Sequence, residues 1–352
     1  MESEETVLVT GGTGFVGVHC ILQLLQKGYK VKTTVRDLKR KDEVLEMLKN
    51  GGITSVDISK GSSEDNLTFI AADLTKDNHW GEAVKDCTYV LHVASPIFLA
   101  IPKDEKEMIR PAVDGALRVL KASRNAGVKR VVMTSNFGAI GYSHKDPDTP
   151  ITENEWTDPN EKGLSFYNKS KVLAEKAAWD FINKEGGNLE FATINPTAIF
   201  GPALGKDLSS GFELLKNLLD GKMKAVPNLY MNIIDVRDVA DLHIRAMTNP
   251  NANGQRFLGL AGGKMSLPEI AVLLKEKMPE VTQNVSTKKA PDWIIKVGGL
   301  FSPKLKNVAS MLKTSRNASN EKAKKILGWK PIATNEEAVI ESVKSMIKFG
   351  NI

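Results

Sequence analysis

The feature that most constrains the fold is a glycine-rich turn near the N-terminus. Residues 6–17, TVLVTGGTGFVG, run from a short apolar segment through the turn into an apolar helical pattern. The spacing Gly-x-Gly-x-x-Gly is that of dinucleotide-binding loops, where glycine lets the backbone approach a pyrophosphate closely. The free N–H groups of the following helix then face that anion. We therefore predict cofactor contacts at Gly11, Gly14, Phe15, Val16 and Gly17.

The end of the second predicted strand, residues 29–35, indicates which dinucleotide is bound. Arg36 follows this strand directly. At this position an acidic residue accepts a hydrogen bond from the 2′-hydroxyl of NAD, whereas arginine accommodates the 2′-phosphate of NADP. Arg36 therefore favours NADP(H), with Lys41 among the nearby positive charges. The alternative is a surface arginine that pairs with Asp37.

Strand and helix patterns alternate through the first 200 residues. The predicted strands are 6–10, 29–35, 67–72, 89–94, 129–134 and 189–194, and the helices between them include 42–49, 105–126 and 166–184. This alternation predicts an α/β fold with a Rossmann-type, doubly wound parallel sheet, whose ligands bind at the carboxyl ends of the strands. Gly11, Arg36, Asp73 with Leu74, Ala94 and Ser135 fall at such ends. We expect Asp73 to contact the edge of the adenine ring, and the alternative role, which is compatible with the first, is to cap the next helix.

The alternation loosens after residue 200. Short helical patterns at 212–219, 236–247, 267–277 and 335–348 mix with short strands at 232–234 and 256–258. We predict a Rossmann domain over residues 1–200, to which C-terminal segments return. Residues 201–352 are expected to form mainly a small α+β substrate-binding cap.

Composition excludes several classes of function. The net charge is +6, but the lysines are scattered and no basic stripe carries interleaved aromatics, so we predict no nucleic-acid partner. Two cysteines without Cys-x-x-Cys spacing do not make a disulfide framework. The acidic start lacks a signal peptide's basic region, and no run reaches the roughly 18 apolar residues of a membrane span. We expect a soluble, cytoplasmic protein, a monomer or a homodimer, without a metal ion.

The residues with the clearest chemistry are Tyr167 and Lys171, inside the helix predicted after the fifth strand. A separation of four places both side chains on one helix face. A phenol with a pKa of about 10 is a poor acid–base group at neutral pH, and a neighbouring ammonium favours the phenolate. The pair alone is common, but behind the glycine loop it predicts acid–base catalysis.

Taken together, these motifs resemble the extended short-chain dehydrogenase/reductases, in the dihydroflavonol-reductase-like branch that includes plant reductases and aldehyde or methylglyoxal reductases. The resemblance spans essentially the whole chain and rests on residues 10–17, 34–36, 91–96, 129–135, 167–175 and 195–202.

The resemblance implies an NADPH-dependent oxidoreductase acting on carbonyl groups. It implies that Tyr167 protonates the carbonyl oxygen while the nicotinamide gives a hydride to the carbon. It implies that Lys171 holds the ribose hydroxyls and lowers the tyrosine's pKa. The cofactor residues implied beyond the glycine loop are Pro196 and Thr197 beside the nicotinamide, with Ala94 and Ser95 along the cofactor.

The sequence departs from the family at the serine that normally donates to the same oxygen. The usual Thr-Ser-Ser is Thr134-Ser135-Asn136, and counting back from residues 137–140 places Asn136 at the catalytic position. Because an amide also donates hydrogen bonds, three interpretations stay open. Asn136 replaces the serine, Ser135 replaces it after a local shift, or catalysis is lost.

The substrate is weakly specified. Apolar pocket candidates suit a small or medium aldehyde or ketone, although core packing explains each of them equally well. They are Ile97, Phe98, Phe137, Tyr142, Phe200 and the 204–212 loop. The first alternative is a nucleotide-sugar epimerase or dehydratase, which Arg36 disfavours. The second is a non-catalytic NADP-sensing regulator, which an intact Tyr167 and Lys171 disfavour.

Overall fold

Short buried strands rich in aliphatic residues form the centre of the structure, which is a computed structural model. It describes residues 5–53, 66–96, 102–206, 210–302, 305, 308–309, 311–312 and 316–352. The strands are β1 (Thr6–Val9), β2 (Lys30–Val35), β3 (Leu67–Ala71), β4 (Tyr89–His92), β5 (Arg130–Thr134), β6 (Glu190–Pro196), β7 (Ala198–Phe200), β8 (Val226–Pro227), β9 (Tyr230–Met231), β10 (Ile233–Asp235), β11 (Gln255–Gly259), β12 (Met265–Ser266) and β13 (Lys289–Ala290). The helices are α1 (Phe15–Gln26), α2 (Lys41–Asn50), α3 (Trp80–Val84), α4 (Lys106–Asn125), α5 (Phe166–Glu185), α6 (Ser210–Leu219), α7 (Val236–Thr248), α8 (Leu267–Lys277), α9 (Asp292–Gly298), α10 (Glu321–Leu327) and α11 (Asn335–Lys348).

Seven parallel strands form the main sheet, in the order β3-β2-β1-β4-β5-β6-β11. Parallel sheets are covered on both faces, which explains why their strands are nearly continuous apolar runs rather than alternating ones. The strand order reverses between β1 and β4, and ligands of such sheets bind in the crevice at this switch point. The predicted doubly wound fold is confirmed.

Helices cover both faces of the sheet. On one face, α1, α2 and α7 bury side chains such as Leu24, Leu48 and Met247 in a common cluster. On the other face, α3, α4 and α5 contribute a second cluster that includes Trp80 and Phe181. The sheet is therefore the middle layer of a three-layer domain, which leaves its strand ends free to build a site.

The C-terminal half divides between the sheet and a cap. A third cluster, built from α6, α8, α11 and neighbouring residues, includes Phe212, Leu274 and Met346. The boundary at residue 200 stays a prediction. The strand expected at 256–258, however, was wrongly placed among the cap elements, because β11 pairs with β6 as the seventh strand of the main sheet. α7 likewise packs in the layer of α1.

In the described part of the chain, no helix is both long enough and apolar enough to cross a membrane. Cys20 and Cys87 are both buried as free thiols. Burial raises the pKa of the Cys87 thiol to about 11, so neither cysteine is placed for redox chemistry.

Candidate active site

A cavity of about 700 Å³ lies at the carboxyl ends of the sheet strands. It collects every predicted site residue except Lys41. The predicted residues that line it are Gly11, Gly14, Phe15, Val16, Gly17, Arg36, Asp73, Leu74, Ala94, Ser95, Ser135, Asn136, Tyr167, Lys171, Pro196 and Thr197. The structure therefore brings together residues from six strand ends and from the helices α1 and α5.

The glycine loop forms the floor of one end of the cavity. Gly11 has a φ of +73°, and a Cβ there would lie 3.0 Å from the Cβ of Ala94. A Cβ on Gly17 would collide with the carbonyl oxygen of Gly11, so α1 packs against the turn only with glycine at both positions. The first turn of α1 has no side-chain cap and no acidic residue. Its N–H groups are thus available to an anion, as a pyrophosphate requires.

Arg36 lies at the cavity rim without a carboxylate partner among the described residues. Its proposed partner Asp37 instead accepts a hydrogen bond from the backbone N–H of Lys39 at 2.9 Å and caps a short 3₁₀ helix. Lys41 begins α2 and is not among the residues that line the cavity, and its Nζ lies 5.5 Å from the centre of the Phe69 ring. Its contact with the cofactor stays a prediction.

Asp73 follows β3 and faces the same end of the cavity. Its Oδ1 accepts hydrogen bonds from the backbone N–H and the hydroxyl of Thr75, each at 2.8 Å. The Thr75 hydrogen bonds, together with the nearby charge of Arg36, hold the pKa of Asp73 below its usual value. Asp73 does not cap α3, since His79 precedes that helix without a side-chain cap. The predicted contact to an adenine edge stays a prediction.

Tyr167 and Lys171 stand on the first turns of α5, on one face. Ser165 caps this helix by accepting from the backbone N–H of Asn168 at 3.2 Å. Lys171 Nζ lies 5.7 Å from the centre of the Tyr167 ring and donates a hydrogen bond to Ser95 Oγ at 2.9 Å. The Tyr167 side chain is half exposed, so its hydroxyl is accessible from the cavity.

The two candidates at the end of β5 differ in their surroundings. The Ser135 hydroxyl is buried and donates to the carboxylate of Glu175. Oδ1 of Asn136 is buried and has no hydrogen-bond partner among the described residues. Because Oδ1 only accepts, a ligand that satisfies it must bring a donor. Nδ2, which donates to no described residue, is the group of Asn136 that can donate to a substrate oxygen.

A buried ion pair that sequence reasoning missed supports this region. Glu175, on α5 one turn beyond Lys171, accepts from Arg256 Nε at 2.7 Å and from Asn195 Nδ2 at 2.7 Å. Arg256 comes from β11, so the pair joins the catalytic helix to the seventh strand. The only signal in the sequence was the spacing of four between Lys171 and Glu175.

Two buried histidines stabilise the neighbouring strand ends. Burial lowers the pKa of His92 to about 3 and that of His243 to about 4, so both rings are neutral at physiological pH. His243 Nδ1 lies 2.7 Å from the carbonyl of Val239, which only accepts, so Nδ1 carries the proton. Nε2 then accepts from the hydroxyl of Thr134 at 2.6 Å. α7 is thereby joined to the last residue of β5.

The other end of the cavity is built mainly from distant segments. Of the predicted pocket residues, Phe137, Tyr142 and Phe200 line the cavity, whereas Ile97 and Phe98 lie outside the described residues. Among the described residues of the 204–212 loop, Gly211 lines the cavity, whereas Leu204 and Phe212 are buried in hydrophobic clusters. The lining residues that were not predicted include Asn168, Leu214, Met231, Asn232, Met311 and Arg316. Asn168 lies inside the Tyr-x-x-x-Lys motif, and no motif contains the other five.

The fold and this site define the class of protein: a dinucleotide-binding α/β protein with a Tyr-x-x-x-Lys pair at the switch point. Comparison with known families identifies the family within this class. The model of the 3-beta hydroxysteroid dehydrogenase/isomerase family matches residues 8–258, and the chain belongs to this family. The expected relationship to the dihydroflavonol-reductase-like branch of extended short-chain dehydrogenase/reductases is confirmed.

Three relatives illustrate the relationship. A Candida albicans protein assigned as an NADPH-dependent methylglyoxal reductase is 33% identical, over 99% of this chain and 100% of its own length. An anthocyanidin reductase of Vitis vinifera is 34% identical over 79% of this chain and 82% of the relative. The solved structure of yeast methylglyoxal/isovaleraldehyde reductase complexed with NADPH has a TM-score of 0.77 and 25% identity, covering 98% and 99% of the two chains.

Proposed function

We propose that this protein is an NADPH-dependent oxidoreductase that reduces an aldehyde or ketone to the alcohol. The observation that carries the proposal is the convergence of an uncapped α1, an unpaired Arg36 and the Tyr167–Lys171 pair on one cavity. The named activity of one relative, methylglyoxal reduction, supports this chemistry, and that of the other, anthocyanidin reduction, supports a reductase more generally. Its substrates are small carbonyl compounds.

The residues around the cavity fit the cofactor. The glycine cradle leaves no room for a Cβ and the uncapped helix offers N–H groups to the pyrophosphate. Arg36 offers a guanidinium, free of any carboxylate in the described part of the chain, to the 2′-phosphate. When bound, NADPH supplies the hydride that reduces the carbonyl carbon.

Tyr167 donates the proton to the developing alkoxide oxygen. Lys171 Nζ, 5.7 Å from the ring centre, brings a positive charge to the side chain that gives up the proton. Ser95 orients Lys171 through the 2.9 Å hydrogen bond. Lys171 thus supplies a fixed positive charge near the acid as the proton leaves it.

Asn136 takes the place of the family's serine as the second donor to the substrate oxygen. Two observations support Asn136 over Ser135. The Asn136 amide has no other hydrogen-bond partner in the described structure, while the Ser135 proton is engaged by Glu175. Since an amide N–H donates as a hydroxyl does, the substitution is compatible with activity.

Steady-state oxidation of NADPH at 340 nm tests the proposal. The panel contains aldehydes, diketones and a dihydroflavonol, with NADH in parallel. Turnover with NADPH well above NADH supports the reductase and the role of Arg36. Tight NADPH binding without turnover of any carbonyl supports the sensor, and activity on UDP- or TDP-sugars with retained NAD supports the epimerase or dehydratase.

A further inference from the structure

Arg316 is the one positive side chain at the substrate end of the described cavity lining besides Lys171. Its guanidinium carbon lies 5.1 Å from the centre of the Phe137 ring and 5.5 Å from that of Tyr142. Phe137 directly follows Asn136 in the chain, and Arg316 lines the same cavity as both. No sequence motif and no step proposed so far uses it.

The position of Arg316 is fixed, but its charge is not neutralised. Asn232 Nδ2 donates to the Arg316 carbonyl at 2.9 Å, and Arg316 Nε donates to the carbonyl of Tyr230 at 3.1 Å. Nη1 and Nη2 have no hydrogen-bond partner among the described residues, and no carboxylate there pairs with the guanidinium. The only carboxylic acid among the described lining residues is Asp73, which lies at the opposite, cofactor end.

The free edge of the guanidinium indicates what it binds. Two parallel Nη–H groups match the two oxygens of a carboxylate, and the aromatic rings beneath hold the fork in one plane. A diphosphate is a worse fit, because the other cation in the described lining of this end, Lys171, is assigned to Tyr167 and the cofactor in the proposed reaction, and the lining is otherwise mainly apolar. Arg316 is partly buried, and a carboxylate would replace the water at its free edge with two charge-assisted hydrogen bonds.

We propose that Arg316 selects carbonyl substrates that carry a carboxylate a few bonds from the reacting carbon. The inference rests on the proposed reductase function and specifies its substrate class. Neutral aldehydes fit the same cavity, but they leave the Nη groups without an anionic partner. Carboxylated carbonyls are therefore the preferred substrates.

Matched substrate pairs test this selection. The specificity constant kcat/KM is measured with saturating NADPH for two pairs of substrates, each an acid and a neutral partner. The first pair is 4-carboxybenzaldehyde and methyl 4-formylbenzoate, and the second is succinic semialdehyde and butanal. The variants are Arg316→Leu, Arg316→Lys and the surface control Arg124→Leu. Calorimetry of 4-(hydroxymethyl)benzoate, its methyl ester and UDP with the NADP⁺-saturated enzyme measures binding without turnover.

We expect the wild type and Arg124→Leu to prefer the acids at least tenfold. Arg316→Leu should lower this acid-to-neutral ratio about 10- to 100-fold, the range of a charged hydrogen-bonded pair. Arg316→Lys should fall between them, because it keeps the charge but loses the fork. An NADPH-binding measurement on each variant confirms that the protein is folded.

The outcomes separate this proposal from the reductase proposal. Equal turnover of acid and neutral partners, unchanged in Arg316→Leu, overturns the selection and leaves the reductase intact. Binding of UDP more tightly than the carboxylate also overturns it, in favour of a diphosphate ligand. If no aldehyde is reduced, the reductase proposal fails. Binding of 4-(hydroxymethyl)benzoate that depends on Arg316 would then still support the selection of carboxylates. If the benzoate does not bind either, both proposals are overturned.

Discussion

The two ends of the cavity are built in different ways. The cofactor end consists of residues that directly follow β1, β2, β3 and β4, so each is placed by a strand only a few residues away. The substrate end combines the end of β5 and the start of α5 with Met231, Asn232 and Arg316 from the C-terminal half. One end is thus fixed by local sequence, and the other by packing between distant segments.

This difference explains which site residues could be predicted from the sequence and which could not. Gly11, Arg36 and Asp73 were assigned from their place after a strand, and in a parallel sheet all such ends meet at one edge. Lys41 is not part of the cavity lining, because it lies beyond a strand end, on the first turn of α2, where helix rotation decides which way the side chain points. That rotation depends on packing.

The distant contributions could not be predicted for a physical reason. The strand at 256–258 was recognised, but its neighbour in the sheet was not, since a short apolar strand fits an edge or a cap equally well. Arg256 and Glu175 meet only because β11 pairs with β6. Arg316 likewise reaches the cavity through contacts with residues 230 and 232, which no spacing in the chain encodes.

The largest effect is expected where the two ends meet, at Tyr167. Tyr167→Phe removes the proton donor and should lower kcat about 10²- to 10⁴-fold, the range of general acid catalysis. The dissociation constant of NADPH, measured by fluorescence titration, should stay within about twofold because no cofactor charge is removed. Tyr142→Phe, also in the cavity lining, is the matched control, and equal losses in both variants would deny Tyr167 a special role.

Next in size is the effect of Asn136. Asn136→Ala should lower kcat about 10²- to 10³-fold, as removal of an oxyanion donor does. Asn136→Ser should recover most of the rate, because a hydroxyl also donates. Ser135→Ala removes the hydrogen bond to Glu175, so its main effect should be a lower midpoint of thermal unfolding, and its effect on kcat should be smaller than that of Asn136→Ala. A larger loss of kcat in Ser135→Ala than in Asn136→Ala would assign the donor role to Ser135 instead.

Substitution of Arg36 tests whether the cofactor end is determined by residues that directly follow the strands. Arg36→Ala should raise KM for NADPH about 10- to 100-fold by loss of charged hydrogen bonds to the 2′-phosphate, and leave KM for NADH nearly unchanged. Lys41→Ala should have a much smaller effect, since Lys41 lies outside the cavity lining. A loss that is equal for both cofactors would show that Arg36 does not read the phosphate.

The smallest effect concerns the packing that supports the substrate end. His243 has a folded pKa of about 4 because of burial, whereas an unfolded histidine titrates at about 6.5. As pH falls from 6.5 to 4 the unfolded chain takes up this proton and the folded chain does not, so stability is lost, by up to about 3 kcal/mol.

Urea unfolding between pH 7.5 and 4.5 measures this loss. The free energy of unfolding of His243→Gln should fall less steeply with decreasing pH than that of the wild type. His79→Gln, at an exposed ring, is the control and should follow the wild-type slope. Parallel curves for His243→Gln and the wild type would mean that the ring is not buried in its neutral form.

The most direct test of the whole account follows the hydride itself. Wild-type enzyme and Tyr167→Phe are each incubated with NADPH that carries deuterium at both C4 positions and with a panel of carboxylated and neutral aldehydes, and the alcohols are analysed by mass spectrometry. The account predicts one deuterium at the carbinol carbon in the wild-type products and about 10²- to 10⁴-fold slower formation in the variant. NADPH bound at the cavity with no deuterated alcohol from any aldehyde would contradict it.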